Sequence, residues 1–342
     1  MSHDQGPIPV LDLGKARQDD GSFSPDFIEQ LRHATHHVGF FQITGYGASP
    51  GQPERLLDLI RRFFALPLEE RMKLDNRLSP HFRGYTRMGT EVTQGRADAR
   101  EQIDYSPERE PVTDYPEDQP YWLLQGPNLW PEDSFPELKP AAMEWAELMS
   151  RVGMELLRAI AVSLKLPEDY FDEPFQGSPA WMGKLVHYVG GVVEAAGDQG
   201  VGSHADYGFV TLLLQDDVGG LEVLPPGATN WLPVEPIPGA LVVNLGEMLE
   251  VATEGYLVAT IHRVQAPPPG VDRYSVPFFW SPRLDAVIDP VPLPPELKAD
   301  ARGISDDPAN PLLASYGMNM LKGRMRAHPD VTERHYPELL TR

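Results

Sequence analysis

Phe209-Val210-Thr211-Leu212-Leu213-Leu214 and Leu221-Glu222-Val223-Leu224, joined through Asp216-Asp217 and Gly219-Gly220, decide the fold. Short apolar runs of this length, bounded by acidic and glycine turn residues, read as neighbouring strands. Similar runs lie on both sides: Leu185 to Tyr188, Leu241 to Val243, Ile261 to Val264 and Tyr274 to Trp280. Glycine and proline turns separate them, which predicts an antiparallel sandwich or barrel.

Before Pro167 the pattern is helical. Ser24-Pro25 sets a helix start, Phe27, Leu31, Ala34 and Val38 follow at helical spacing, and Gly39 stops the run before a strand at Phe40 to Ile43. A short strand is expected within residues 7–13. Leu56, Ile60 and Phe63-Phe64 mark a second helix, and a long one is predicted from about Pro140 to Leu166. Residues 107–140, rich in proline and acid, read as a surface excursion interrupted by apolar Tyr121 to Leu124. A last helix is expected from Pro311 to Arg326. The layout is α+β: helices around a β core, forming one cooperative unit.

Composition narrows the function. Apolar residues make up 41% of the 342, enough for a real core. Fifty acids against 29 Lys plus Arg give a net charge of -21, which disfavours nucleic acid and anionic membranes as partners. The same acidity favours a neutral or cationic small molecule as substrate. No apolar window is long enough for a transmembrane helix, and the N-terminus lacks the pattern of a signal peptide. Cysteine is absent, which excludes thiolate chemistry and suits a cytoplasmic enzyme. Nothing sets the oligomeric state; a monomer is favoured.

Gly202-Ser203-His204-Ala205-Asp206 offers an imidazole and a carboxylate two positions apart, on one face if the segment is a strand. His262 lies on a predicted strand 56 positions after Asp206. Two histidines and one carboxylate on a metal leave positions open for an oxidisable cosubstrate and O2, the arrangement of non-haem Fe(II) oxygenases. A His-x-Asp pair alone is weak, and His328-Pro329-Asp330 is a second one. It is set aside because proline breaks strand pairing and the stretch follows a helix. Arg273 and Ser275, also two apart on a predicted strand, suit a carboxylate through a guanidinium fork and a hydroxyl.

The chain resembles the iron(II)- and 2-oxoglutarate-dependent dioxygenases of the isopenicillin N synthase-like group. The matching residues are His204-Ala205-Asp206, Gly219-Gly220-Leu221-Glu222-Val223, Pro238 to Gly246, Gly255-Tyr256, His262-Arg263-Val264 and Arg273-x-Ser275. In the N-terminal part they are Ile8 to Leu13, Gly39-Phe40-Phe41, Phe64-x-Leu66-Pro67-x-Glu69-Glu70 and Gly84-Tyr85. The resemblance implies a distorted double-stranded β-helix, or jelly roll, at 180–285, with an N-terminal region at 1–135 and a C-terminal helix and tail at 308–342. It implies Fe(II) on His204, Asp206 and His262, and 2-oxoglutarate held by Arg273, Ser275 and Tyr188. The chain departs from many plant members in having Val186 and Val189 around Tyr188. The implied reaction consumes 2-oxoglutarate and O2, yields succinate and CO2, and hydroxylates a C–H bond; desaturation or ring closure are alternatives. Rival readings are an oxidase that does not use 2-oxoglutarate, a non-catalytic binding protein on the same fold, and a metal hydrolase. The namesake's type would call for a glutamine ligand near the C-terminus, and the last glutamine here is Gln265. His187, His36-His37, Asp216-Asp217 and the Met318, Met320, Met325 series read as structural.

Overall fold

The computed structural model describes residues 8–93, 95–191, 199–304 and 311–341. Its strands are β1 (Val10–Asp12), β2 (Phe40–Thr44), β3 (Gly84–Thr86), β4 (Val92–Thr93), β5 (Arg96–Ala97), β6 (Arg100–Tyr105) and β7 (Met182–Val189). They continue with β8 (Gln199–His204), β9 (Val210–Gln215), β10 (Leu221–Leu224), β11 (Leu232–Pro233), β12 (Leu241–Leu245), β13 (Ile261–Gln265) and β14 (Asp272–Trp280). The helices that shape the site are α1 (Pro25–His33), α2 (Gln52–Phe64), α3 (Leu138–Ser163) and α4 (Tyr316–Ala327).

An eight-stranded sheet has the order β1-β2-β12-β9-β14-β7-β6-β3, and a four-stranded sheet the order β11-β10-β13-β8. Pairing is antiparallel except between β1 and β2. The two sheets face each other across a small apolar cluster: Val186, Tyr188 and Val242 from the larger sheet meet Val201, Leu221, Val223 and Val264 from the smaller. This is the jelly roll. The outer face of the large sheet buries a second, larger core under the helices, including Trp145 on α3, Phe63 on α2 and Phe278 on β14. On α3, Ala142, Trp145, Met149, Val152, Leu156 and Ile160 recur every three or four residues and form that buried stripe. Among the described residues no helix is long and apolar enough to cross a membrane.

Local structure refines several expectations. The first helix runs as α1 and then widens into a π turn at Ala34–Val38. Gly39 ends it at φ 69°, with no room for a side chain against the Val258 carbonyl and the Thr260 hydroxyl. The helix expected last begins at Tyr316, where the Ser315 hydroxyl caps the Met318 amide; residues 311–315 precede it in non-helical conformation, and it is not the last, because a shorter helix, Pro329–His335, follows it. The proline-rich excursion is anchored, because Tyr121, Leu123, Trp130 and Phe135 all enter the core.

Candidate active site

His204 ends β8, His262 is the second residue of β13, and the two are direct partners in the antiparallel ladder. Their ring centroids lie 4.3 Å apart. Each Nδ1 faces a backbone carbonyl two residues upstream: Gly202 at 2.8 Å for His204, Thr260 at 3.1 Å for His262. A carbonyl only accepts, so in the neutral ring Nδ1 carries the proton and Nε2 keeps its lone pair.

Asp206 is not on the strand with His204. The ladder ends at His204, and the next residues turn away, so the expected shared strand face is corrected. The turn is pinned instead: the Glu247 amide donates to the Asp206 carbonyl at 2.7 Å. Gly246 leaves space for the Gly208 backbone that any side chain would strike. Asp206 Oδ2 accepts hydrogen bonds from Thr211 Oγ1 (2.6 Å) and Asn244 Nδ2 (2.7 Å). Its Oδ1 lies 3.7 Å from His204 Nε2. One ligand atom from each of His204, Asp206 and His262 falls within 4.8 Å of the others.

The electrostatics suit a cation. Burial opposes charge on Asp206, but the two imidazoles and the bonds from Thr211 and Asn244 outweigh it and hold the carboxyl below its ordinary range. Burial, reinforced by neighbouring His204, brings the pKa of His262 down to about 4. Near neutral pH the site therefore offers a neutral imidazole and a carboxylate, a nitrogen and oxygen donor set that suits a divalent transition metal.

A cavity runs from this triad to Arg273 and Ser275 on β14, past Tyr188 on β7. Arg273 is 1% exposed. Its Nη2 donates to Gln215 Oε1 at 3.0 Å, while Nε and Nη1 have no acceptor. The Gln215 amide nitrogen is also buried without a partner. Tyr188 lies opposite Arg273 in the ladder, and the guanidinium stacks over its ring at 4.8 Å. A buried cation with two unused donors asks for an anion. A dicarboxylate that also reaches the triad fits that demand, so the residues present fit both a metal and 2-oxoglutarate.

The structure adds residues that the sequence did not single out. Thr211 and Asn244 orient Asp206, and Gln215 orients Arg273. Arg100 on β6 also lines the cavity, opposite Tyr188 on the side away from Arg273. Its Nη2 lies 3.1 Å from both the Glu91 and Asp98 carboxylates. Strand register alone could have flagged Thr211 and Asn244, which are cross-strand partners on β9 and β12.

His328, His187, His36 and Asp216, read as structural, make structural contacts. His328 is 1% exposed between two helices, bonded to Asn76, with Asp104 3.4 Å away. His187 stacks on Tyr274 and bonds Glu101 on the outer face. His36 stacks on Tyr256. Asp216 caps its turn by accepting from the Val218 and Tyr274 amides.

Comparison with known proteins agrees with this geometry. Residues 8–133 match the model of the non-haem dioxygenase in morphine synthesis N-terminal family, and residues 183–282 that of the 2OG-Fe(II) oxygenase superfamily. A 2-oxoglutarate-Fe(II) type oxidoreductase of Emericella nidulans is 35% identical over 83% of this chain and 82% of its own. A homoarginine-6-hydroxylase of Arabidopsis thaliana is 32% identical over 89% of this chain and 93% of its own. Among solved structures, a full-length Neurospora crassa protein in complex with alpha-KG and thymine superposes with a TM-score of 0.75. It has 26% identity, over 95% of this chain and 98% of that one. A jelly roll holding a His-Asp-His cluster beside a buried arginine, with both family models and these relatives, makes the chain a member of the 2OG-Fe(II) oxygenase superfamily, a 2-oxoglutarate-dependent dioxygenase.

Proposed function

We propose that His204, Asp206 and His262 hold the Fe(II), and that Arg273, with Ser275 and Tyr188, holds the distal carboxylate of 2-oxoglutarate. The enzyme then hydroxylates a C–H bond of a small molecule. The observation that carries this reading is Arg273, buried with two unused N–H donors in the same cavity as the triad. Iron, 2-oxoglutarate and O2 together supply the oxidising chemistry, with the keto acid consumed to succinate and CO2. The chain's residues supply geometry. The Gly202 and Thr260 carbonyls fix both imidazole tautomers. Thr211 and Asn244 hold one oxygen of Asp206 and leave the other for the metal. Leu213, Leu221 and Val264 wall the cavity with apolar surface.

Support for a small-molecule substrate comes from the relatives, one solved with thymine and one named for homoarginine. A cytoplasmic setting belongs to the same reading and rests on the absence of cysteine. The regions at 1–135, 180–285 and 308–342 act in it as one cooperative unit.

The test is anaerobic. Fe(II) with 2-oxoglutarate should give the visible charge-transfer band of a chelated keto acid, and admitted air should yield succinate. His262→Ala should lose the band and keep its circular dichroism. His328→Ala should keep the band. A normal band in His262→Ala, or its loss in His328→Ala alone, sinks the metal assignment.

A further inference from the structure

Arg83 stands just before β3 and is 4% exposed. Its guanidinium makes one hydrogen bond, from Nη2 to the Leu124 carbonyl at 2.7 Å. Nε and Nη1 have no acceptor, and among the described residues no carboxylate pairs with it. Beside it the Ser106 hydroxyl, 1% exposed, is equally without a partner. Both line a small pocket with Arg109, Gln125, Trp181 and Met320.

The charges around Arg83 leave it alone. Arg324 adds positive charge, and the nearest acids, Asp104 and Glu108, are committed elsewhere. Asp104 bonds Arg324 at 2.6 Å and lies 3.5 Å from Lys184. Glu108 accepts from the Asn128 amide and from Trp130 Nε1. Arg109 spends its donors on the Ser178 and Pro179 carbonyls. Burial and Arg324 pull the Arg83 pKa down to about 9. A buried cation in this state gains from an anion.

The pocket lies near the Asp206 end of the barrel, two strands across the large sheet from Thr211. Thr211, which bonds Asp206, pairs with Phe279, and Phe279 pairs with Met182, next in the chain to Trp181. Ser106 follows the end of β6, whose Tyr105 pairs with Gly183. Tyr207 follows Asp206 directly and reaches close enough to Arg83 and Arg324 to act on both charges. We propose that Arg83, with the Ser106 hydroxyl, anchors a carboxylate of the substrate, so that the enzyme oxidises small carboxylate-bearing molecules. The net charge of -21 argues for a neutral or cationic substrate. At contact distance the local cation decides, because the field of surface acids is screened within about 10 Å.

This inference rests on the oxygenase reading, and its test separates the two. Protein loaded with redox-inert Zn(II) and 2-oxoglutarate is melted at fixed ionic strength with sodium acetate, sodium benzoate, benzamide or sodium chloride. At least one carboxylate should raise the midpoint of the parent and not of Arg83→Gln, with benzamide inert and Arg83→Lys intermediate. An equal rise with chloride means an inorganic anion site only and overturns the proposal, as does the absence of any carboxylate effect through Arg83. With Fe(II) and air, a panel of carboxylic acids and their amides is screened for faster succinate release. The stimulating acid should show an apparent KM about tenfold or more higher in Arg83→Gln, with 2-oxoglutarate binding unchanged in the charge-transfer titration. A preferred substrate that lacks an anion and is unaffected by Arg83→Gln overturns it. Without ligand, Arg83→Gln should melt no lower than the parent. A lower midpoint with an unchanged response to acids would make Arg83 a structural residue. If the parent never forms the charge-transfer band, the oxygenase reading fails instead.

Discussion

Along β14 the outward side chains Val276, Phe278 and Trp280 enter the aromatic core beneath the helices, while Arg273, Ser275, Pro277 and Phe279 face the cavity. Adjacent residues of one strand thus meet opposite demands. Phe278 is fully buried among apolar neighbours such as Trp181, whose ring centroid is 5.3 Å away. Arg273, almost as buried, has two N–H groups that nothing in the protein satisfies. On β6 the faces also differ, with Glu101 on the outer face accepting from His187, Tyr85 and Arg71, but Arg100 beside it, which faces the cavity, is held by Glu91 and Asp98. The outer face is packed to be stable by itself. The inner face is left incomplete and awaits ligands, at some cost in stability.

The sharpest way to break this contrast is a pair of truncations on β14. Removing the buried ring in Phe278→Ala should cost about 3–5 kcal/mol of stability, and the protein that remains folded should bind 2-oxoglutarate like the parent. Arg273→Ala should weaken 2-oxoglutarate by about 3–5 kcal/mol, roughly 100- to 1000-fold or more, without lowering the unliganded midpoint. Arg273→Lys should recover part, since a point charge replaces a planar fork. Denaturant melts and anaerobic charge-transfer titrations read the two quantities separately. Loss of stability in Arg273→Ala comparable to that in Phe278→Ala would erase the distinction.

How much of this was legible beforehand depended on whether a residue's role is local. Leu221–Leu224 was read with its observed ends, because apolar spacing and flanking glycines are features of the segment itself. The His-x-Asp pair and the Arg-x-Ser pair were legible for the same reason. Arg100–Tyr105 was not, because Arg-Glu-Gln-Ile-Asp-Tyr shows no apolar alternation. It is a strand only because β7 and β3 pair with it on either side. Gln199–His204 holds two glycines, and part of its order comes from Asp98, whose carboxylate accepts from Gln199 and the Gly202 amide. The isolation of Arg83 could not be read either, since it depends on where distant acids spend their hydrogen bonds.

A smaller effect separates the inner face from the outer by pH. His262 has its pKa lowered to about 4 in the metal-free fold, against about 6.5 when unfolded. Between these values the unfolded chain binds the extra proton, so acid favours unfolding. The metal-free protein should lose up to about 3 kcal/mol through this group between pH 6.5 and 4. Asp206, whose pKa is lowered, keeps its contribution until the pH falls below that window. His328, buried and also lowered, acts with the same sign as His262, so the quantity to measure is the difference between the parent and His262→Leu. Melts of both without metal across that range should show the parent losing stability relative to the variant as the pH falls. Parallel curves would show that His262 titrates alike in both states.

Smaller again are the residues that aim Asp206. Asn244→Ala or Thr211→Val removes one of two bonds to Oδ2 and leaves the carboxylate in place. Loss of such an outer partner costs about 10- to 100-fold in metal affinity. Fe(II) titrations should show that drop with little change in 2-oxoglutarate affinity at saturating iron, because Arg273 lies at the other end of the cavity. A loss confined to 2-oxoglutarate would mean that these residues line the cosubstrate and do not serve the ligand.

The smallest effect should come from Ser275→Ala. Ser275 pairs with Val186 and Gln215 on the two neighbouring strands, so its backbone is fixed from both sides and the substitution leaves the strand intact. Its hydroxyl stands two residues from Arg273 on the cavity face, where it can add one hydrogen bond to a carboxylate already paired with the guanidinium. One bond to a charged group contributes about 1.5–3 kcal/mol when buried, and less where water can replace it. The cavity admits water once the cosubstrate leaves, so the expected cost lies near the low end, about tenfold in 2-oxoglutarate affinity. It should also be non-additive with Arg273→Ala, because without the guanidinium the carboxylate no longer sits where the hydroxyl can reach it. A double variant no weaker than Arg273→Ala alone would show the two acting on one carboxylate. Full additivity would place Ser275 on a different part of the cosubstrate.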